Sequence, residues 1–332
     1  MAARMLKWCV KACLAGIVSM LLLTMFQAVY SYTGIHVFNP SGSTDYVWEP
    51  NQRIATMGEG FAWLKLDKNG YNNVYDCADK PDILLMGSSH MEAINVGASE
   101  NTGFLLNKGL SYSTYNIGIS GHTIYTCVKN LEAAVKEFQP QKYIIIETDR
   151  VDLSDNDMQA VLDDEYATIP SYDEGIIYTI QKKFPVIKTL YKKITDWKDA
   201  EVLVSDRTDS GMAEVEINSI LLNRFMAKVK SAVDDTEIKI IIFYQPKTMI
   251  DSEGKYIETS EYDAVNCFAE ACKNNDIIFV DMSESFKELY DNENILAHGF
   301  SNTAVGVGHL NKYGHKVVAD RLIAAIIEEE NK

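Results

Sequence analysis

Residues 82–90 read DILLMGSSH, from Asp82 to His90. The apolar run is too short for a helix, and it stops abruptly at a glycine followed by two serines, as a buried parallel strand does on entering a tight turn. Four more runs share this character: Thr114–Ile117 (TYNI), Tyr143–Ile146 (YIII), Lys239–Tyr244 (KIIIFY) and Ile277–Val280 (IIFV). Between or after them, helical spacing runs over roughly 102–109, 123–138, 214–232, 261–275 and 312–329. Strand and helix thus alternate five times. That alternation predicts a parallel sheet with right-handed crossovers and helices on both faces.

One interval breaks the rhythm. Residues 150–213 hold Tyr166, Tyr172, Tyr178, Phe184, Tyr191 and Trp197. We expect an insertion after the third strand, with a helix near 181–198, overhanging the end of the sheet where loops gather around a site. Upstream, residues 33–80 are rich in Gly, Asn, Asp and Pro and read as an irregular stalk packed onto the domain. Within it, Asp67-Lys68-Asn69-Gly70 lacks the later ligands of a calcium loop and reads as a tight turn.

The N-terminus is of another kind. Ala12–Tyr30 carries no formal charge and is preceded by Arg4, Lys7 and Lys11. Such a run is long enough to cross a bilayer, and its basic flank stays cytoplasmic. The expectation is a single-pass anchor over residues 1–32, with the stalk and the domain at 81–332 outside the cytoplasm. A cleaved signal peptide is the alternative, although Ala28-Val29-Tyr30 is a poor cleavage site. Formal net charge is −16, from 47 acidic and 31 basic residues, which opposes binding to a phosphate backbone, so no nucleic-acid partner is expected. Cys77, Cys127, Cys267 and Cys272 form no metal-binding spacing, and most of them read as small buried apolar residues.

Three polar motifs follow strands of the predicted sheet. Gly87-Ser88-Ser89-His90 leaves a serine at the C-terminal edge, either as a nucleophile or as an ordinary helix cap. Asn116-Ile117-Gly118-Ile119-Ser120-Gly121-His122 can turn its backbone N–H groups toward an anion or serve as a plain strand-to-helix loop. Gly306-Val307-Gly308-His309-Leu310-Asn311 presents His309 in a glycine-rich loop before the last helix, which makes it the best general-base candidate. His315 is expected on the solvent side of that helix, and His298 either beside the site or exposed. No metal or other cofactor is expected, because no ligand signature accompanies these histidines.

In these motifs the chain resembles the SGNH/GDSL hydrolase family. Gly87-Ser88-Ser89 is similar to its first block with Ser88 in place of Asp, Asn116-x-Gly118-x-x-Gly121 to its second, and Gly308-His309-Leu310-Asn311-x-x-Gly314 to its last. The resemblance spans residues 80–330 and implies a flavodoxin-like three-layer α/β/α sandwich on a five-stranded parallel sheet. It also implies Ser89 as nucleophile, His309 as base, and an oxyanion hole from the Ser89 and Gly121 N–H groups. His90, Asn116 and Asn302 are then expected to line the substrate site. Two departures stand out. The third block's Asn is missing, with Thr148 as a partial substitute, and the acid normally three residues before the histidine is replaced by Gly306. Asn302 or a carboxylate from the insertion could complete a triad; otherwise the site is a Ser–His dyad or inactive.

The resulting expectation is an extracytoplasmic serine esterase or O-acyltransferase acting on acyl esters of a cell-surface carbohydrate polymer. The alternative is an inactive module that binds glycan or partners a membrane acyltransferase.

Overall fold

The computed structural model describes residues 2–30, 37–38, 46–48, 50–56, 59–75, 78, 80–164, 218–234, 236–257, 259 and 262–332. The chain divides into two units. Of the first (1–34, 53–55 and 170–214), the described part is the N-terminal helix Ala2–Tyr30 and residues 53–55. The second comprises residues 35–52, 56–169 and 215–332.

Its centre is a five-stranded sheet of β1 (Ile83–Met86), β2 (Thr114–Asn116), β3 (Tyr143–Thr148), β4 (Lys239–Tyr244) and β5 (Ile278–Asp281). The spatial order is 2-1-3-4-5 and every pairing is parallel. The register sets Leu84 beside Tyr115 and Ile144, so aliphatic rows run across the sheet. Because successive side chains alternate faces, Leu84, Met86, Ile144, Ile146, Ile240 and Ile242 enter one core, while Ile83, Leu85, Ile145, Ile241 and Phe243 enter the other. Each fully buried aliphatic chain contributes about 1.5–3 kcal/mol.

The first core is covered by α3 (Ile124–Phe138), α5 (Ser219–Ser231) and α6 (Tyr262–Asn274) through Leu131, Phe225 and Phe268. The second is covered by α2 (Thr102–Leu110), α7 (Ser283–Glu293) and α8 (Lys312–Glu330) through Leu106, Phe286 and Leu322. The alternation of strand and helix predicts this parallel sheet with helices on both faces, and the resemblance implies its flavodoxin-like α/β/α sandwich. A four-residue helix, α1 (Ser89–Glu92), follows β1, and α4 (Asp155–Leu162) follows β3. Sequence periodicity leaves α4 and α7 unassigned, because each buries only two residues, Met158 with Val161 and Phe286 with Leu289. The aromatics expected of the insertion fall at 165–217, outside the described residues, as does Cys77.

Residues 59–75 are built into the domain. Asp67 is buried and accepts the N–H groups of Asn69 and Tyr71 on one carboxylate oxygen and the Asn73 amide on the other, so DKNG is a turn closed by its own aspartate. Asn73 also pairs with both the N–H and the C=O of Asn116, continuing the sheet beyond edge strand β2 with a side chain. Cys127 and Cys272 are buried and Cys267 is partly so, as expected of small apolar residues.

Candidate active site

The turn after β1 is shaped by a carboxylate. A Cβ at Gly87 would lie 2.7 Å from Glu147 Oε2, so only glycine lets the chain pass the end of β3. The next N–H, that of Ser88, donates to the same Glu147 oxygen at 2.6 Å. Ser88 Oγ then caps α1 by accepting from His90 N–H. Ser89 is therefore the first residue of a helix, with no partner on its own N–H among the described residues.

The loop after β2 is tied to this turn, since Ile119 N–H donates to Gly87 C=O at 3.0 Å. Gly121 follows at φ +87°, with no partner on its N–H among the described residues and open space where a Cβ would stand. Buried Glu92 holds the loop from behind, accepting from Ser120 Oγ and from Trp48 Nε1.

His309 arrives from the far end of the chain. Its C=O accepts from Gly299 N–H and its neighbour Leu310 pairs with His298, so the imidazole stands on a short antiparallel bridge. Asn311 locks the base of the loop, donating to Leu296 and Gly299 carbonyls and capping α8 through Oδ1. Here Nε2 of His309 lies 2.7 Å from Ser89 Oγ. On the other side, Nδ1 lies 2.7 Å from Glu59 Oε2, while His309 N–H donates to Glu59 Oε1. Serine, histidine and carboxylate form one continuous chain of hydrogen bonds, the geometry in which a carboxylate fixes the imidazole tautomer and stabilises its cation.

Glu59 is the residue that sequence reasoning missed. It comes from the segment read as stalk, 250 positions before His309, flanked by Gly58 and Gly60. Two features make room for it. Gly308 has φ +115°, and a Cβ there would sit 1.8 Å from Glu59 Oε1. Asn302, expected to face substrate or replace the acid, instead clamps Gly60 through its amide, accepting from the N–H at 2.9 Å and donating to the C=O at 3.2 Å.

Position 306 cannot take the family's acid. Gly306 has φ +69°, and its Cβ would meet Thr248 C=O at 2.6 Å. We therefore expect Gly306→Asp to destabilise the fold by about 1–3 kcal/mol, with no gain in turnover. Urea unfolding and ester hydrolysis measured on the one variant check both halves.

Other sequence candidates also have structural partners. Thr148 is buried and its hydroxyl donates to Arg150 C=O, so it is not offered as a third oxyanion donor. Asn116 is buried, donating to Met91 C=O and accepting from Gly118 N–H. His90 accepts Leu310 N–H on Nδ1 and packs its ring 5.0 Å from that of His309. It supports the His309 loop from inside, and burial, reinforced by His298 and His309, holds its pKa well below the ordinary value.

His298 and His315 are buried. His298 Nε2 faces Gln245 Oε1 and its Nδ1 faces Thr248 Oγ1, while Gln245 passes its amide on to Glu147. His315, expected at the solvent side, lies inside α8 with Nδ1 against Thr102 Oγ1. Among the described residues no group of three His, Cys, Asp or Glu side chains is placed to hold a metal.

Burial drives the His298 pKa down to about 4 and that of His315 to about 3. In the unfolded chain both return to about 6.5. Below that value the unfolded state takes up protons that the native state refuses, so stability is full above pH 6.5 and falls as pH drops toward 4. Glu147, raised by burial, acts in the opposite sense, while His90, lowered by burial, adds to the two histidines. Urea midpoints from pH 7.5 to 4.5 should stay level above 6.5 and then decline, by at most about 1.4 kcal/mol per pH unit for each histidine. A level profile throughout would contradict the burial of neutral imidazoles.

Serine, glycine loop and histidine thus converge on the C-terminal edge of a sheet of order 2-1-3-4-5. No family model and no curated protein matches the sequence. Among solved structures the chain is similar to TesA (14% identity, TM-score 0.38, covering 74% of this chain and 97% of that one). It is also similar to the acetyl xylan esterase AlAXEase (16%, 0.41, 74% and 98%) and to a member of the lipolytic G-D-S-L family from Veillonella parvula (12%, 0.39, 73% and 96%).

Proposed function

We propose that the chain is a membrane-anchored, extracytoplasmic serine esterase or O-acyltransferase acting on acyl esters of a cell-surface carbohydrate polymer. The observation that carries this reading is the unbroken line Ser89 Oγ, His309 Nε2, His309 Nδ1, Glu59 Oε2, with both hydrogen bonds at 2.7 Å.

In the first half-reaction, His309 Nε2 takes the Ser89 proton as Oγ attacks the ester carbonyl, and Glu59 stabilises the imidazolium. Negative charge on the carbonyl oxygen is met by the N–H groups of Ser89 and Gly121. Collapse expels the alcohol, which receives its proton from Nε2 and leaves an acyl-serine. A second alcohol or a water then gives its proton to Nε2, attacks the acyl carbon and frees Ser89. Water makes the reaction hydrolysis, and a sugar hydroxyl makes it transfer. Acetate release from an acetylated glycan, compared with acetyl transfer to an added unacetylated one, separates the two.

The anchor is supported by the 29-residue helix Ala2–Tyr30, about 43 Å long. Its segment Arg4–Leu22 has mean hydropathy 1.7 and is exposed, as a span or a signal sequence would be. We expect the full-length protein to sediment with membranes and resist carbonate extraction, with its domain open to external protease. A soluble form trimmed near residue 30 would show a cleaved signal instead.

A further inference from the structure

A line of buried polar side chains joins the turn at Ser88 to the loop that carries His309. Glu147 near the end of β3, Gln245 just past β4, Thr248 and His298 are each at most 4% exposed. Glu147 Oε2 accepts Ser88 N–H at 2.6 Å, and its Oε1 accepts from Gln245 Nε2 at 2.8 Å. Gln245 Oε1 lies 2.8 Å from His298 Nε2, and His298 Nδ1 lies 3.0 Å from Thr248 Oγ1.

Each end of the line is one residue from a reacting group. Ser88 precedes the nucleophile, and His298 is bridged by its backbone to Leu310, which follows the base. The His90 ring packs against both imidazoles, 5.4 Å from that of His298 and 5.0 Å from that of His309.

The hydrogen-bond directions are fixed along the line. Glu147 accepts on both oxygens, so Gln245 turns its NH2 to the carboxylate and its oxygen to His298. That oxygen needs a donor. His298 therefore carries its proton on Nε2, and Nδ1 accepts the Thr248 hydroxyl. As glue the arrangement is poorly chosen, because a buried carboxylate gives up its hydration and aliphatic side chains would fill the same space at least as stably. What a fully satisfied polar line adds is a single fixed geometry.

We infer that Glu147, Gln245 and His298 are positioning residues, a buried strut that holds the nucleophile turn against the His309 loop and so sets the distance from Ser89 Oγ to His309 Nε2. The inference rests on the Ser89–His309–Glu59 reading.

Exchanging the two groups of one bond tests it. Glu147→Gln keeps an oxygen for Ser88 N–H but sets an NH2 against that of Gln245, which must turn over and drive the His298 proton from Nε2 to Nδ1. Gln245→Glu sets two carboxylates side by side. The double variant reverses that one bond and restores the rest. On the full chain, with rates corrected for folded fraction, each single variant should lose roughly 10- to 100-fold in kcat for 4-nitrophenyl acetate at nearly unchanged KM, the loss that a displacement of about 1 Å brings. Fluorophosphonate labelling of Ser89 should slow in step, and the double variant should recover both rates to within a few-fold of wild type. Imidazole 15N spectra should place the His298 proton on Nε2 in the wild type and the double variant, and on Nδ1 in Glu147→Gln.

Single variants with wild-type kcat, losses that vanish once folded fraction is corrected, or a double variant no better than the worse single one would overturn the strut. If neither single variant folds, the double variant decides alone: kcat near wild type supports the strut, and kcat as low as the loss expected of the singles overturns it. A wild type that neither hydrolyses the ester nor labels, with the His298 proton moving and returning as stated, would leave the strut standing and remove the catalytic reading.

Discussion

Glu59→Gln should reduce kcat for a simple acetyl ester by roughly 10³- to 10⁴-fold, with the fold intact. The carboxylate receives two donors, His309 Nδ1–H on one oxygen and the His309 backbone N–H on the other. An amide offers a single oxygen, so one of the two must face an NH2 group. If the oxygen stays with the backbone N–H, the amide donates to Nδ1, and the imidazole is fixed with its proton on Nε2. That tautomer cannot accept the Ser89 proton. If the oxygen stays with Nδ1, the loop carrying His309 loses an anchor, and neither arrangement offers the imidazolium a charge. Glu59→Asp keeps the charge but shortens the reach, and should fall between Gln and wild type. Initial rates across pH, alongside circular dichroism, check the effect; a Glu59→Gln enzyme within a few-fold of wild type would reduce the site to a dyad.

The second large effect is coupling. Ser89→Ala and His309→Ala should each remove nearly all turnover, on the order of 10⁴- to 10⁶-fold, and the double variant should lose no more than the worse single one. The reason is geometric: Nε2 at 2.7 Å serves only Oγ, and Oγ without a base is an ordinary alcohol. Steady-state rates of the three variants decide the matter, and multiplied losses would show that the two residues act separately.

Strand runs such as YIII and KIIIFY are legible because burial on both faces leaves nothing polar to interrupt them, and the order of motifs along the chain then sets their common edge. Ser89 and His309 could be named because glycines flank each and each follows a strand or precedes a helix. Glu59 could not. It lies on no strand of the sheet, its partner is far along the chain, and 47 acidic residues compete for the role. What betrays it is only visible in space: Gly308 leaves room for a carboxylate and Asn302 holds Gly60. Asn116, His90 and Thr148 show a related limit. Polar residues beside an active site are often engaged in holding its loops, and residue type does not say which way a hydrogen bond points. The turn at Asp67 and Asn73 is less legible still, since an Asn- and Gly-rich composition describes a loose stalk and a well-bonded turn equally well.

The central claim is that Ser89 is an activated nucleophile. Treating the full-length protein with a fluorophosphonate and mapping the adduct by mass spectrometry tests it directly. One adduct on Ser89, absent from Ser89→Ala and slowed sharply in Glu59→Gln, is the predicted result. No adduct, or one on Ser88 or another serine with Ser89 unmodified, would contradict it.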